Sequence, residues 1–215
     1  MGIGTVLEES DVLLVVDVQN DFCPGGALAV NEGDLVVPSV NRLGRMLPHV
    51  ILTQDWHTEG HFSFASSHEG KSPFETVTAE YGEQTLWPAH CVQGSIGAEF
   101  HKGLDLPMAE LIVRKGFHRD IDSYSAFYEN DRRTPTGLHG YMKERKLKRI
   151  FIAGLATDFC VKYSALDARK LGYEVFLIRE ACRGIDIEGS VAVAMREMEG
   201  AGVAMISEND ISAIA

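Results

Sequence analysis

Positive charge is in short supply along these 215 residues: 20 Lys and Arg face 31 Asp and Glu, for a net charge of −11. Such an excess repels phosphate backbones and anionic membrane surfaces, so neither nucleic acid nor a membrane is an expected partner. Cysteine is scarce as well. Cys23, Cys91, Cys160 and Cys182 show no CxxC spacing, which argues against a redox dithiol and fits a reducing cytoplasm. The stretch "MGIGTVLEESDV" lacks the basic and apolar regions of a signal peptide, and Val6 stands where a myristoylation motif needs Ser or Thr. No apolar run reaches membrane-spanning length. GxSxG, GxGxxG and P-loop signatures are missing, so serine-hydrolase, dinucleotide and P-loop chemistry lack their markers.

What the sequence does contain is a series of short, continuous apolar runs, at 11–18 (DVLLVVDV), 49–55, 111–116, 149–155, 173–180 and 203–207. They do not alternate with polar residues, which predicts strands buried on both faces. Helix-like stretches lie between them: DLVVPSVNRLGRML, TGLHGYMKERK, DFCVKYSALDARKLG closed by Gly172, and EGSVAVAMREMEGAG closed by Gly200 or Gly202. The alternation predicts an α/β fold, a doubly wound, mainly parallel six-stranded sheet with helices on both faces. No repeat or linker divides the chain, so residues 1–215 read as one domain, long enough to bury roughly 70% of its unfolded surface. Residues 58–88 break the rhythm. They are polar and too long for an ordinary connection, which marks a lid or metal-site loop at about 58–90.

Ligands of open α/β sheets bind beyond the carboxyl ends of the strands. Four of the expected strands end in reactive types: the first at Asp17, the second at Asp55 with His57 behind it, the third at Lys115, and the fourth through GLATD to Cys160. A thiol attacks as thiolate, which cations and helix N-termini favour. Thr157 or Asp158 as N-cap would place Cys160 in the first turn of a helix, among free N–H groups able to hold an oxyanion. Lys115 would add positive charge, and Asp17 a base for the thiol proton. Taken singly, a free cysteine is more often core than nucleophile, and an Asp or Lys at a strand end is more often a turn or solvated residue. Their convergence favours chemistry.

A second constellation is DWHTEGH, with Asp55, His57 and His61, joined by His90 from WPAH. Imidazole and carboxylate together suit a divalent Zn, Fe, Mn or Co ion. Gly60 lies between the two histidines and the Glu is one place late for a zincin helix, so they belong on a loop.

DVQNDFCPGGAL, TQDWH with HFSFA, WPAHCVQGS, RKGFHRDIDSYSAF and GLATDFCVKYSALDA, in this order from about residue 11 to 206, resemble the nicotinamidase/pyrazinamidase group of the isochorismatase-like cysteine hydrolases. The resemblance implies a catalytic triad of Asp17, Lys115 and Cys160. It implies one divalent metal ion (zinc, with iron or manganese as alternatives) on Asp55, His57, His61 and His90, with water in the remaining places. It also implies a cis peptide between Leu155 and Ala156, an oxyanion hole from the N–H groups of Ala156 and Cys160, and a substrate pocket of Phe22, Trp87, Tyr124, Leu155 and Ala156, with Phe127 nearby. The implied substrates are nicotinamide and pyrazinamide, hydrolysed through a thioester in NAD salvage; a homo-oligomer remains open. Three rivals stand beside this: a related amidase for carbamoyl or ureido substrates or a vinyl-ether hydrolase, a zinc hydrolase using metal-bound water, and a metal-responsive binding module without turnover.

Overall fold

A computed structural model describes residues 5–212. Its centre is a six-stranded sheet built from β2 (Asp11–Val16), β3 (His49–Asp55), β6 (Leu111–Lys115), β7 (Arg149–Leu155), β8 (Glu174–Arg183) and β9 (Ala204–Ile206). The spatial order is β6-β3-β2-β7-β8-β9, and every neighbouring pair is parallel. The remaining strands are short: β1 (Thr5–Val6) beside β10 (Ile211–Ser212), and a hairpin of β4 (Thr76–Ala79) and β5 (Gly82–Thr85) inside the long polar segment. No helix among the described residues is long and apolar enough to cross a membrane.

The unbroken apolar runs follow from what covers each face. Leu13 and Val15 of β2 point to a core shared with α1 (Val36–Met46), through Val36, Val37, Val40 and Leu43. Val12, Leu14 and Val16 point the other way, to α2 (Leu138–Glu144), α3 (Lys162–Lys170) and α4 (Ser190–Gly200), through Met142, Ala165, Ala168 and Met198. With both faces buried, alternation has no purpose. Pro38 sits in the first turn of α1, where a missing N–H costs no helical bond.

From β2 the chain winds outward to β3 and β6, and from β7 it winds the other way to β8 and β9. The order therefore reverses between β2 and β7, the place where an open α/β sheet leaves a crevice. One departure from the expected elements occurs there. The first strand stops at Val16 rather than residue 18, because Asp17 takes a left-handed conformation (φ 47°). At Gly154 (φ 124°) a Cβ would strike the Val16 backbone, so the two strands approach closely at their functional ends. The Leu155–Ala156 peptide is cis.

Candidate active site

Asp17, Lys115 and Cys160 meet at the crevice. Register sets part of this, because Asp55 and Lys115 are paired across β3 and β6. The Lys115 side chain, 0% exposed, ends 2.8 Å from Asp17 Oδ2, 2.9 Å from the Ser123 carbonyl and 3.4 Å from Cys160 Sγ, and it also ion-pairs with Asp55 Oδ1. Thr53 on β3 fixes the other oxygen of Asp17, donating to Oδ1 at 2.6 Å while accepting the Asp17 N–H at 3.1 Å.

Burial raises the Asp17 carboxyl above its ordinary range, with Lys115 opposing. Asp55 lies well below that range, since Lys115 and His57 outweigh the cost of its burial. Lys115 is held protonated by the two carboxylates against its own burial. Cys160 differs from the sequence expectation: burial and the two acids push its thiol well above the ordinary value, and Lys115 only partly offsets them. Two anions already share one cation, so a resting thiolate would add a second uncompensated buried charge. A neutral thiol with its sulfur within 4.8 Å of an Asp17 carboxylate oxygen is the starting point of a proton transfer.

The turn carrying Cys160 also departs from expectation. Neither Thr157 nor Asp158 caps it: the chain turns at Ala156, whose carbonyl accepts the N–H groups of Phe159 and Val161, both at 3.1 Å, and residues Thr157–Val161 form a π-type turn before α3. The Asp158 carboxylate is committed to the connection after β8, accepting from the N–H of Ile185 (3.0 Å), the N–H of Asp186 (2.8 Å) and Ser190 Oγ (2.5 Å).

Asp55 links this group to the second constellation. Its Oδ1 faces Lys115, and its Oδ2 lies 3.6 Å from His57 Nε2 and 3.8 Å from His90 Nε2. His57 Nδ1 is 2.9 Å from the Gly116 carbonyl and His90 Nδ1 is 2.8 Å from the Pro88 carbonyl. A carbonyl only accepts, so each Nδ1 carries a hydrogen, and each Nε2 is the ring atom that faces Asp55 and is placed to ligate a cation. One carboxylate and two such imidazoles, with ligand atoms within 4.8 Å of one another, make a donor set that fits a divalent cation. Gln19 holds this carboxylate in place from behind, accepting the Asp55 N–H and donating to its carbonyl, both at 2.8 Å. His61 stands apart. Its Nε2 donates to the His118 carbonyl at 2.9 Å and its Nδ1 accepts from the Ser63 N–H at 3.2 Å, while its ring leans on His57 with centroids 4.4 Å apart.

Above these groups lies a narrow cavity. Its polar side is Asp55, His90, Asp122 and Cys160; its apolar side is Phe22, Leu28, Trp87, Tyr124, Phe159 and Ile185. Trp87 stands perpendicular to Phe159 (centroids 4.8 Å) and donates its N–H to the Tyr124 hydroxyl at 3.1 Å. Ala156 reaches the cavity. Leu155 does not line it: its side chain lies in the core on the α1 side. Phe127 is also elsewhere, stacked on Tyr173 beneath the opposite face. Leu28, Asp122, Phe159 and Ile185 are lining residues not among those expected from the sequence. Asp122 sits inside the quoted RKGFHRDIDSYSAF motif, so its signal was present.

Comparison with known proteins agrees with this geometry. Residues 11–210 match the isochorismatase domain. The chain is 55% identical to a curated nicotinamidase of Acinetobacter baylyi, over 93% of each protein. It superposes on a nicotinamidase/pyrazinamidase structure from Acinetobacter baumanii with a TM-score of 0.93 at 52% identity, covering 94% of this chain and 98% of that one. A pyrazinamidase of Pyrococcus horikoshii, solved in complex with zinc, matches at a TM-score of 0.77 and 37% identity, over 92% of this chain and 99% of its own. The chain belongs to the isochorismatase family, within its nicotinamidase/pyrazinamidase group of amide hydrolases.

Proposed function

We propose that the protein, acting as one domain in the cytoplasm, hydrolyses nicotinamide to nicotinic acid and ammonia in NAD salvage, accepts pyrazinamide as well, and works through a thioester on Cys160. The observation that carries this reading is the contact of Cys160, Asp17 and Lys115 at the floor of a cavity walled by aromatic rings. Trp87, Phe159 and Tyr124 give the cavity an aromatic wall against which a flat heteroaromatic amide can lie with its carboxamide toward Cys160.

Asp17 takes the thiol proton as sulfur attacks the amide carbon, and Lys115 offsets the charge that stays behind. The tetrahedral oxyanion rests on the N–H groups of Ala156 and Cys160. Asp17 returns the proton to the departing amine, which leaves as ammonia. Water, deprotonated by Asp17, then adds to the thioester, and the thiol leaves as nicotinic acid forms. Asp55, His57 and His90 would hold one divalent ion, zinc in a donor set of this kind, supplying a Lewis-acidic anchor for a ring nitrogen. His61 backs the His57 ring.

The test is ammonia release from nicotinamide by the purified protein, repeated after chelation and metal return, and with Cys160→Ala. Expected are loss on chelation, recovery on reloading, and no turnover by Cys160→Ala at unchanged metal content. A Cys160→Ala protein that keeps its activity would instead favour attack by metal-bound water.

A further inference from the structure

The long polar segment has a use beyond delivering His57 and His90. Its β4–β5 hairpin is largely exposed, and in β5 the one fully inward side chain is polar: Gln84, 1% exposed. An isolated two-stranded hairpin is marginal in water, so what anchors it matters. Here the anchor is an amide with all its hydrogen-bonding capacity in use. Gln84 Oε1 accepts from the Tyr81 hydroxyl (3.0 Å) and Asn130 Nδ2 (3.2 Å). Nε2 donates its two hydrogens to Asp122 Oδ2 (2.7 Å) and the Thr85 carbonyl (2.7 Å), and lies 3.1 Å from the Tyr124 hydroxyl. Asp122 carries only acceptors as a carboxylate, so the nitrogen must be the atom that faces it.

Two walls of the cavity thus depend on one side chain that does not reach the cavity. Asp122 and Tyr124 both line it, and Tyr124 in turn takes the Trp87 N–H. Asn130 completes the brace, its Oδ1 accepting the Tyr124 N–H at 3.1 Å and its own N–H donating to the Asp122 carbonyl at 2.8 Å. Cys160, Asp17 and Lys115 stand on other elements, the π-type turn and the ends of β2 and β6, and the one link from the braced segment to them is the Ser123 carbonyl on Lys115.

We propose that Gln84 is a positioning residue for substrate binding: through Asp122 and Tyr124 the hairpin sets the orientation of the rings that receive the heteroaromatic substrate. The inference rests on the nicotinamidase reading. Its consequence is a division of kinetic effects. Loosened ring contacts weaken substrate capture, while attack by Cys160 on a substrate that has bound is little changed, so KM rises and kcat holds.

Gln84→Met keeps the length of the side chain and removes the amide. Steady-state ammonia release from nicotinamide should show KM raised about tenfold, with kcat lowered by less than about threefold. A merely structural role would reduce the folded, active fraction, lowering apparent kcat at unchanged KM. Tyr81→Phe removes one hydroxyl from the hairpin and should raise KM about threefold; it decides the matter alone if Gln84→Met does not fold. Unchanged KM in a folded variant overturns the proposal. Failure of the wild-type protein to release ammonia from nicotinamide would overturn the functional reading instead.

Discussion

Replacing Lys115 by Met removes a fully buried ammonium while keeping the length of its stem. In the native protein that ammonium sits between Asp17, at 2.8 Å, and Asp55, and all three side chains are almost wholly enclosed. Without it, two buried carboxylates face each other with their shared cation gone. Breaking a buried pair in this way costs about 3–5 kcal/mol. For a domain of this size each kcal/mol moves the melting point by about 2–4 °C, so the expected fall in Tm is roughly 6–20 °C. Thermal and urea melts should be run with a chelator present, so that no added cation replaces the lost charge. The pH dependence has a definite sign. Burial already raises the Asp17 carboxyl and Lys115 is its main opposing influence, so the variant's carboxyl is raised further. A carboxyl raised in the folded state costs stability when ionised and none below its unfolded pKa; the gap between variant and wild type therefore narrows as pH falls from about 7 to about 5. A variant as stable as wild type at neutral pH, or a gap that widens in acid, would refute the charge accounting. Turnover should be lost at every pH.

Asp158→Ala removes the acceptor for two N–H groups and the Ser190 hydroxyl, freeing the connection that brings Ile185 to the cavity; urea melts should show a loss of about 1–3 kcal/mol, and ammonia release a raised KM. His57→Ala and His90→Ala should each lower metal retention at least about tenfold in dialysis against a chelator, whereas His61→Ala, whose ring nitrogens both bond within the protein, should retain metal far better. Burial pushes the Cys23 thiol up to about 11 and the Cys182 thiol up to about 12, so neither should be alkylated by iodoacetamide at pH 8 in the native protein, and both should be in urea. Rapid native labelling of Cys182, which is buried on β8 opposite Gly154 of β7, would show that the sheet opens there.

The sheet was legible in the sequence because burial on both faces leaves a signal in each strand by itself: six apolar runs, four of them ending near a reactive residue. Asp17, Asp55, Lys115 and Cys160 were legible for the same reason, since strand ends at a topological switch converge whatever the details of the loops. Local capping was not. Asp158 looks like an N-cap because an Asp precedes a helix, yet its carboxylate bonds to residues some 27 to 32 positions later, a partnership that spacing cannot reveal. The upward push on the Cys160 thiol is hidden on similar grounds: sequence shows the neighbouring cation but neither the depth of burial nor the second acid that Lys115 also faces.

The hairpin is the instructive failure. Its strands are polar and mostly exposed, so nothing in TVTA or GEQT announces a pair of strands, and Gln84 reads as one more solvated residue in a loop. What makes that residue matter is a set of partners drawn from Tyr81, Asp122, Tyr124 and Asn130, which come together only after the segment following β6 has packed across the crevice. A buried polar group is tolerated when every bond is made and costly when one is lost. The residues that shape a substrate wall from behind are therefore where sequence patterning is silent, because their role lies in completing a network and not in any period along the chain.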